Sequence, residues 1–350
     1  MKTAEFDYEL PPELIAQTPI EPRDASRLMV VDRHTGEIAH RHFCDLPDLL
    51  QPGDLLVHNE SRVIPARLFA RKPTGGKVEI LLLRQCAGDT WETLVRGRRI
   101  RAGMRLALFD GPEGLPIGAE AEVVEERERG MRVLTFDRPV LPLAERVGVT
   151  PLPPYIHTSL ADAERYQTVY AHTPGSAAAP TAGLHFTPEL LHRLRGMGVR
   201  SAFVTLHIGL DTFRPVSEEH VEDHRMHTEY CSLTPQVAGQ VNRTRLEGHR
   251  VVAVGTTSVR VLETAAIKAQ SPKPKAETVQ PFEGATDLFI YPGYEFHVVD
   301  ALITNFHLPR STLLMLVAAF ASRELMNRAY AEAIRERYRF YSFGDAMLIL

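Results

Sequence analysis

Arg62 to Leu68 reads RVIPARL, and at this stretch the texture of the chain changes. Downstream of Pro65 the apolar runs are short and strand-like: KVEILLLR (77–84), WETLV (91–95), RLALF (105–109), AEVVEER (121–127) and MRVLTF (131–136). Turn signals AGD, DGPEG and ERG separate them. This is the pattern of a small antiparallel β-barrel or sandwich. It closes at a second proline-bearing crossing, VTPLPPYI (149–156).

On either side of that block the pattern is α/β. Buried-strand candidates RLMVVD, SAFVTLHI, RVVAVG and VVDALITNF alternate with helical stretches such as TPQVAGQVNRTRLEG and SVRVLETAAIKA. The expected architecture is a discontinuous α/β host, barrel-like or an open sheet, formed by residues 1–64 and 150–350, with an inserted all-β domain at 65–149. Ser271 to Gln280, SPKPKAETVQ, reads as a surface loop.

Composition agrees with two domains. The 350 residues are 44% hydrophobic and 24% charged, ordinary for a soluble globular chain. Cys44, Cys86 and Cys231 are too few and too scattered for a disulfide framework or zinc ribbon, so a reducing cytoplasm is expected. The N-terminus has no apolar run, and the longest apolar block, Leu313 to Ala321, falls far short of the ~20 residues a membrane span needs.

The net charge of -4 conceals an asymmetry. From Arg62 to Arg105 there are eleven Lys or Arg against three Asp or Glu, whereas Leu106 to Thr150 holds five against nine. A solvated face and a polyanion site both fit such a strip. Arg96, Arg98, Arg99 and Arg101 are its densest part, read as strand residues with alternate members on one face.

Three histidines sit at the ends of apolar runs just before turns: His185 in LHF, His207 in LHIG and His307 in FHLP. Open α/β sheets bind ligands at the carboxyl ends of their strands, where the last two would lie. Thr212, Arg214, Asn305 and Ser311 add polar groups at that edge. His185 precedes a helix start, with Thr187 as cap, Pro188 in the first turn and Glu189 at the positive end of the dipole. In VVAVGTTSVRVLET (251–264), Gly255, Thr256, Thr257 and Ser258 lead from a strand into a helix, a place to hold an anion. The lysine of a P-loop and the spacing of a dinucleotide fingerprint are absent there. Arg260 and Glu263 would share a helix face and pair or reach a ligand. His220, His224 and His227 show no zinc-protease pattern, and no metal or resident cofactor is expected. There is no serine elbow and no cysteine in a nucleophile context.

Taken together, EPRDASRLMVVDR, HNESRVIPARL, GGKVEILLL, PTAGLHFT, VTLHIG, MHTEY, VGTTSVRVLE, TNFHLPRSTLLMLVAAF and YSFGDAMLI resemble the S-adenosylmethionine:tRNA ribosyltransferase-isomerase family of queuosine biosynthesis. The blocks occur in the family's order over nearly the whole chain. One departure is Asp211, in LHIGLDTF, where members usually have glycine. The resemblance implies that S-adenosylmethionine is a consumed co-substrate, not a cofactor. Its ribosyl part goes onto 7-aminomethyl-7-deazaguanine at the tRNA wobble position and is isomerised there. Epoxyqueuosine remains, and adenine and methionine leave. Such chemistry needs a base at the carbon beside the sulfonium and an acid for adenine, while the nucleophile belongs to the tRNA.

The resemblance makes His185 or Glu229 the base, with the helix dipole keeping His185 neutral, and lets His207 and His307 orient ribose or protonate adenine. It gives Gly255 to Ser258 the methionine carboxylate or a tRNA phosphate. It adds Arg23, Asp24, Arg27, Asn59, Arg62, Thr181 and Gly183 as substrate-binding candidates and Arg96 to Arg101 as tRNA contacts. A monomer is expected. The rivals are an S-adenosylmethionine-dependent RNA methyltransferase and a noncatalytic RNA-binding protein. The first lacks a glycine-rich turn after its first strand, and the second has no need of three histidines at strand ends.

Overall fold

The structure, a computed structural model, describes residues 1–158, 160, 162–209, 215–269 and 278–350. Thr212, Arg214, the departure at Asp211 and most of the expected loop at Ser271 to Gln280 lie outside the described residues. The chain forms two compact units. One comprises Met1–Ser61, Pro153–Thr173 and Ala179–Leu350; the other comprises Arg62–Leu152 and Pro174–Ala178.

In chain order the strands ahead of the second unit are β1 (Arg27–Val31), β2 (Ile38–His42) and β3 (Leu55–Asn59), and the short β4 (Ser61–Val63) follows. The second unit holds β5 (Arg67–Arg71), β6 (Lys77–Ala87), β7 (Thr90–Arg96), β8 (Arg105–Phe109), β9 (Pro116–Glu126) and β10 (Met131–Phe136). These six close as an antiparallel barrel in the order β10-β7-β6-β5-β8-β9. Strict alternation makes this possible: Leu68, Ala70, Val78, Ile80, Leu106 and Leu108 point inward, and the residues between them point out. β11 (Thr173–Ser176) pairs with β4 in a separate two-stranded sheet.

The first unit is built on an open sheet completed by β12 (Arg200–Leu206), β13 (Glu229–Leu233), β14 (Val251–Val254), β15 (Phe282–Thr286), β16 (Ala301–Asn305) and β17 (Ala346–Ile349). Among the described residues its order is β15-β13-β12-β3-β14-β16-β17-β1-β2. The centre is parallel, with Val57 of β3 opposite Ala202 and Ala253, and Ala253 opposite Leu302. Central strands such as VVAV and ALITN are wholly buried, as parallel strands covered on both faces must be.

One face of the sheet packs Leu56, Val252, Val254 and Ile303 against Phe43, Leu46, Phe186, Leu190 and Leu194. The helices are α1 (Leu46–Leu49), α2 (Val140–Val147, in the barrel unit), α3 (Pro188–Gly196), α4 (Pro235–Leu246), α5 (Thr256–Ala269), α6 (Thr312–Ala321) and α7 (Arg323–Arg335). Helix α3 starts as its sequence requires: Thr187 Oγ1 accepts from the Leu190 amide at 3.1 Å and Pro188 occupies the first turn. Helix α5 is buried on every side from Thr256 to Ala266, so its polar members must find partners inside the protein.

Candidate functional site

The carboxyl ends of β3, β14 and β16 come together because these strands run parallel. At the end of β3, Asn59 joins three elements. Its Oδ1 accepts from the Leu206 and Ser61 amides at 3.1 Å each, while Nδ2 donates to the Leu206 carbonyl at 3.0 Å and to Thr257 Oγ1 at 3.3 Å. After β14 the chain turns through Gly255 at φ +87°, a conformation costly for a residue with a Cβ, and enters α5. Beside this turn lies a cavity. Thr181, Gly255, Thr256, Thr257, Asn305 and His307 from the predicted set line it, together with Ile208, Tyr155, Tyr341 and Ser342.

His185 is held differently from the expectation. It ends a 3-10 turn, Thr181–His185, is 4% exposed, and stacks on Phe43 with ring centroids 5.0 Å apart. Its Nδ1 meets Ser26 Oγ at 2.8 Å and its Nε2 meets the Asn305 amide nitrogen at 3.1 Å. Asn305 Oδ1 accepts from Thr181 Oγ1 at 3.0 Å. Because the amide nitrogen donates to Nε2, the ring proton belongs on Nδ1, directed to Ser26. Burial, then the positive charges of Arg339 and Arg23, push its pKa down to about 3. The ring is neutral as expected, but burial and not the helix dipole makes it so, and protein groups occupy both nitrogens.

Glu229 opens β13 and is buried against Arg260, which also donates from Nε to the Leu288 carbonyl at 3.1 Å. The Gly209 amide donates to Glu229 Oε1 at 2.9 Å and His227 Nε2 lies 3.5 Å from the same oxygen. Burial alone would raise this carboxyl, but the guanidinium, His227 and the Gly209 amide outweigh it and hold the pKa at about 2. Arg260 therefore pairs with a strand 31 residues away and not with Glu263. Glu263 instead organises a loop, accepting from the His297, Val298 and Val299 amides and from the Tyr294 hydroxyl.

His307 does line the cavity. Its Nε2 is 3.3 Å from Thr304 Oγ1, and its Nδ1 is buried without a partner among the described residues. Burial lowers its pKa to about 3. His207 stacks on Tyr230 with centroids 5.8 Å apart, and burial lowers its pKa as well.

The remaining predicted residues divide by their partners. Arg23 donates to the carbonyls of Gln167, Leu184 and Glu164, and with His185 it lines a smaller cavity of about 270 Å³. Asp24 accepts from Thr187 Oγ1 at 3.3 Å. Arg27 lies 3.7 Å over the Tyr338 ring and donates to the Glu336 carbonyl, which commits it to the C-terminal segment. Ser311 is an N-cap: its Oγ accepts from the Leu314 amide at 3.1 Å. Ser258 Oγ donates to the Val254 carbonyl. Gly183 is dictated by packing, since a Cβ there would lie 2.1 Å from the Tyr170 hydroxyl. Arg62 is half-buried in β4 of the barrel unit.

The arginine run departs from its strand reading. Arg96 ends β7, and Arg98, Arg99 and Arg101 lie exposed in the turn that leads to β8, Arg99 at φ +57°. Ile100 is the turn's buried anchor, its carbonyl accepting from Arg132 Nε at 3.2 Å. His220, His224 and His227 have separate settings: His220 pairs through its backbone with Lys2, His224 meets Glu218 at 3.0 Å and His227 faces Glu229.

Sequence reasoning missed Tyr155, Tyr341 and Ser342, which line the cavity, and Tyr8, whose hydroxyl donates to the His307 carbonyl. The available signal for two of them was the polar-aromatic YSFGD stretch.

A cavity at this edge of an α/β sheet is where proteins of this architecture take small-molecule ligands. Comparison with known proteins narrows that class. Residues 3–349 match the family described as queuosine biosynthesis protein, and the chain belongs to this family. It is 56% identical to the S-adenosylmethionine:tRNA ribosyltransferase-isomerase of Moorella thermoacetica, over the full length of both chains. The protein of the same name from Symbiobacterium thermophilum is also 56% identical over both full lengths. The crystal structure of S-adenosylmethionine tRNA ribosyltransferase from Thermotoga maritima is similar at a TM-score of 0.56 and 44% identity, covering 99% of this chain and 100% of that one.

Proposed function

We propose that the cavity binds S-adenosylmethionine and that the protein transfers and isomerises its ribosyl part onto 7-aminomethyl-7-deazaguanine at the tRNA wobble position. Epoxyqueuosine is the product, with adenine and methionine released. The carrying observation is that His307, whose buried Nδ1 has no partner among the described residues, lines a cavity whose wall also bears Thr181, Thr256, Thr257 and Asn305. A buried polar atom left without a bond is costly, and a ligand that meets it recovers that cost. Tyr155 and Tyr341, with ring centroids 4.7 Å apart, give the same cavity an aromatic wall suited to adenine.

The positive sulfonium acidifies the adjacent C5′, a base removes its proton, the tRNA amine attacks the sugar, adenine leaves with a proton, and the C5′–S bond breaks to release methionine as the epoxide closes. His307 is the group we assign to proton transfer at the bound nucleoside. His185 acts through Asn305, whose amide it holds with Oδ1 towards Thr181. Glu229 is ionised and fixes Arg260 and the Gly209 amide. Arg96, Arg98, Arg99 and Arg101 supply an exposed positive surface for tRNA phosphates. Methyl transfer is the weaker reading, because the matching relatives are named ribosyltransferase-isomerases.

The test is product analysis with tRNA bearing 7-aminomethyl-7-deazaguanine. Adenine and methionine should appear in equal amounts, only when that tRNA is present, and His307→Gln should lower the rate by roughly 10² or more. Formation of S-adenosylhomocysteine would refute the proposal.

A further inference from the structure

The barrel carries a second concave surface, of whose lining only Arg96 has a role above. On its outward face the registers bring Phe109, Phe69, Glu79 and Arg96 side by side across β8, β5, β6 and β7. Arg71 and Lys77 form the next row, directly opposite each other. These six line a hollow of about 590 Å³. Phe69 and Phe109 occupy outward, half-exposed positions where a barrel strand ordinarily carries polar side chains. The Arg71 guanidinium lies 4.6 Å from the centre of the Phe109 ring.

The charge balance is positive. Glu79 is shared by Arg67 at 3.4 Å and Arg96 at 3.8 Å, and Glu113 pairs with Lys77. Four cations thus face two carboxylates, and Arg71 is engaged with a ring. Two flat aromatic rings set among cations make a platform for a base with a phosphate beside it, the combination that binds single-stranded nucleic acid. An acidic peptide would use the cations and leave the rings idle.

We propose that this hollow is a nucleotide-binding subsite. An unpaired base of tRNA stacks on Phe109 and Phe69, and its phosphate meets Lys77 and Arg96. This rests on the reading that tRNA is the substrate.

The test is equilibrium binding of a full-length tRNA transcript by fluorescence anisotropy across a range of salt. Phe109→Ala should raise Kd about tenfold with the salt slope unchanged, and Phe109→Tyr should restore binding. Lys77→Ala should weaken binding and flatten the slope by about one. A parent that binds while Phe109→Ala binds within about twofold of it overturns the subsite and leaves the function standing. A parent that binds no tRNA overturns both. Should Phe109→Ala fail to fold, as its melting curve would reveal, Lys77→Ala decides: an unchanged Kd and slope contradicts the subsite.

Discussion

The amide nitrogen of Asn305 donates to Nε2 of His185 across 3.1 Å, and the other face of the same amide accepts from Thr181 at the cavity wall. A buried histidine thereby decides which way a cavity amide points. Replacing it with Gln should cost about one hydrogen bond, roughly fivefold in turnover per folded molecule, with the shape of the pH-rate profile unchanged. A loss of 10² to 10⁴ together with a displaced acid limb would make His185 the general base.

Three buried rings should make the protein acid-labile. Burial lowers His58, His185 and His307 to about 3 in the folded chain, against 6.5 when free. As pH falls the unfolded chain therefore takes up protons first, so the stability these neutral rings permit is complete above about pH 6.5 and drains away as pH drops towards 3. Each contributes a slope of about 1.4 kcal/mol per pH unit within that window. His58 is the cleanest probe, since among the described residues both its nitrogens lack partners and it is enclosed by Tyr170, Phe186 and Phe203. Denaturant titrations of His58→Phe between pH 4 and 7 should show a slope shallower by that amount; a slope equal to the parent's would refute the assignment.

The first turns and caps were legible because their causes are local: Thr187 bonds within three residues, and inward and outward residues alternate along barrel strands such as β5 and β7. The inserted barrel and the α/β host followed from the same short-range patterns. What stayed hidden was pairing over distance. Nothing within α5 indicates that Arg260 turns to Glu229 and Glu263 to the 297–299 backbone, because those partners arrive through the sheet order. Ser311 was read as a ligand contact although its spacing to Leu314 is that of a cap. The arginine run was read as a strand because its charges masked Ile100, the one apolar residue that pins a turn.

The Glu229–Arg260 pair gives a third expectation. Both side chains are buried, so removing either leaves an uncompensated charge, at a cost of about 3–5 kcal/mol. Arg260→Met should be destabilised by that much and Glu229→Gln nearly as much, while the double variant recovers a large part of the loss. Additive losses in a double-mutant cycle of chemical denaturation would mean that the two are not coupled.

The central claim is that this chain consumes S-adenosylmethionine to build a ribosyl-derived ring on tRNA. Mass spectrometry of nucleosides from tRNA bearing 7-aminomethyl-7-deazaguanine, incubated with the protein and S-adenosylmethionine labelled with ¹³C in the ribose, tests it most directly. The account predicts an epoxycyclopentane adduct that retains all five ribose carbons. A methyl group alone on the tRNA, or unchanged tRNA with intact S-adenosylmethionine, would contradict it.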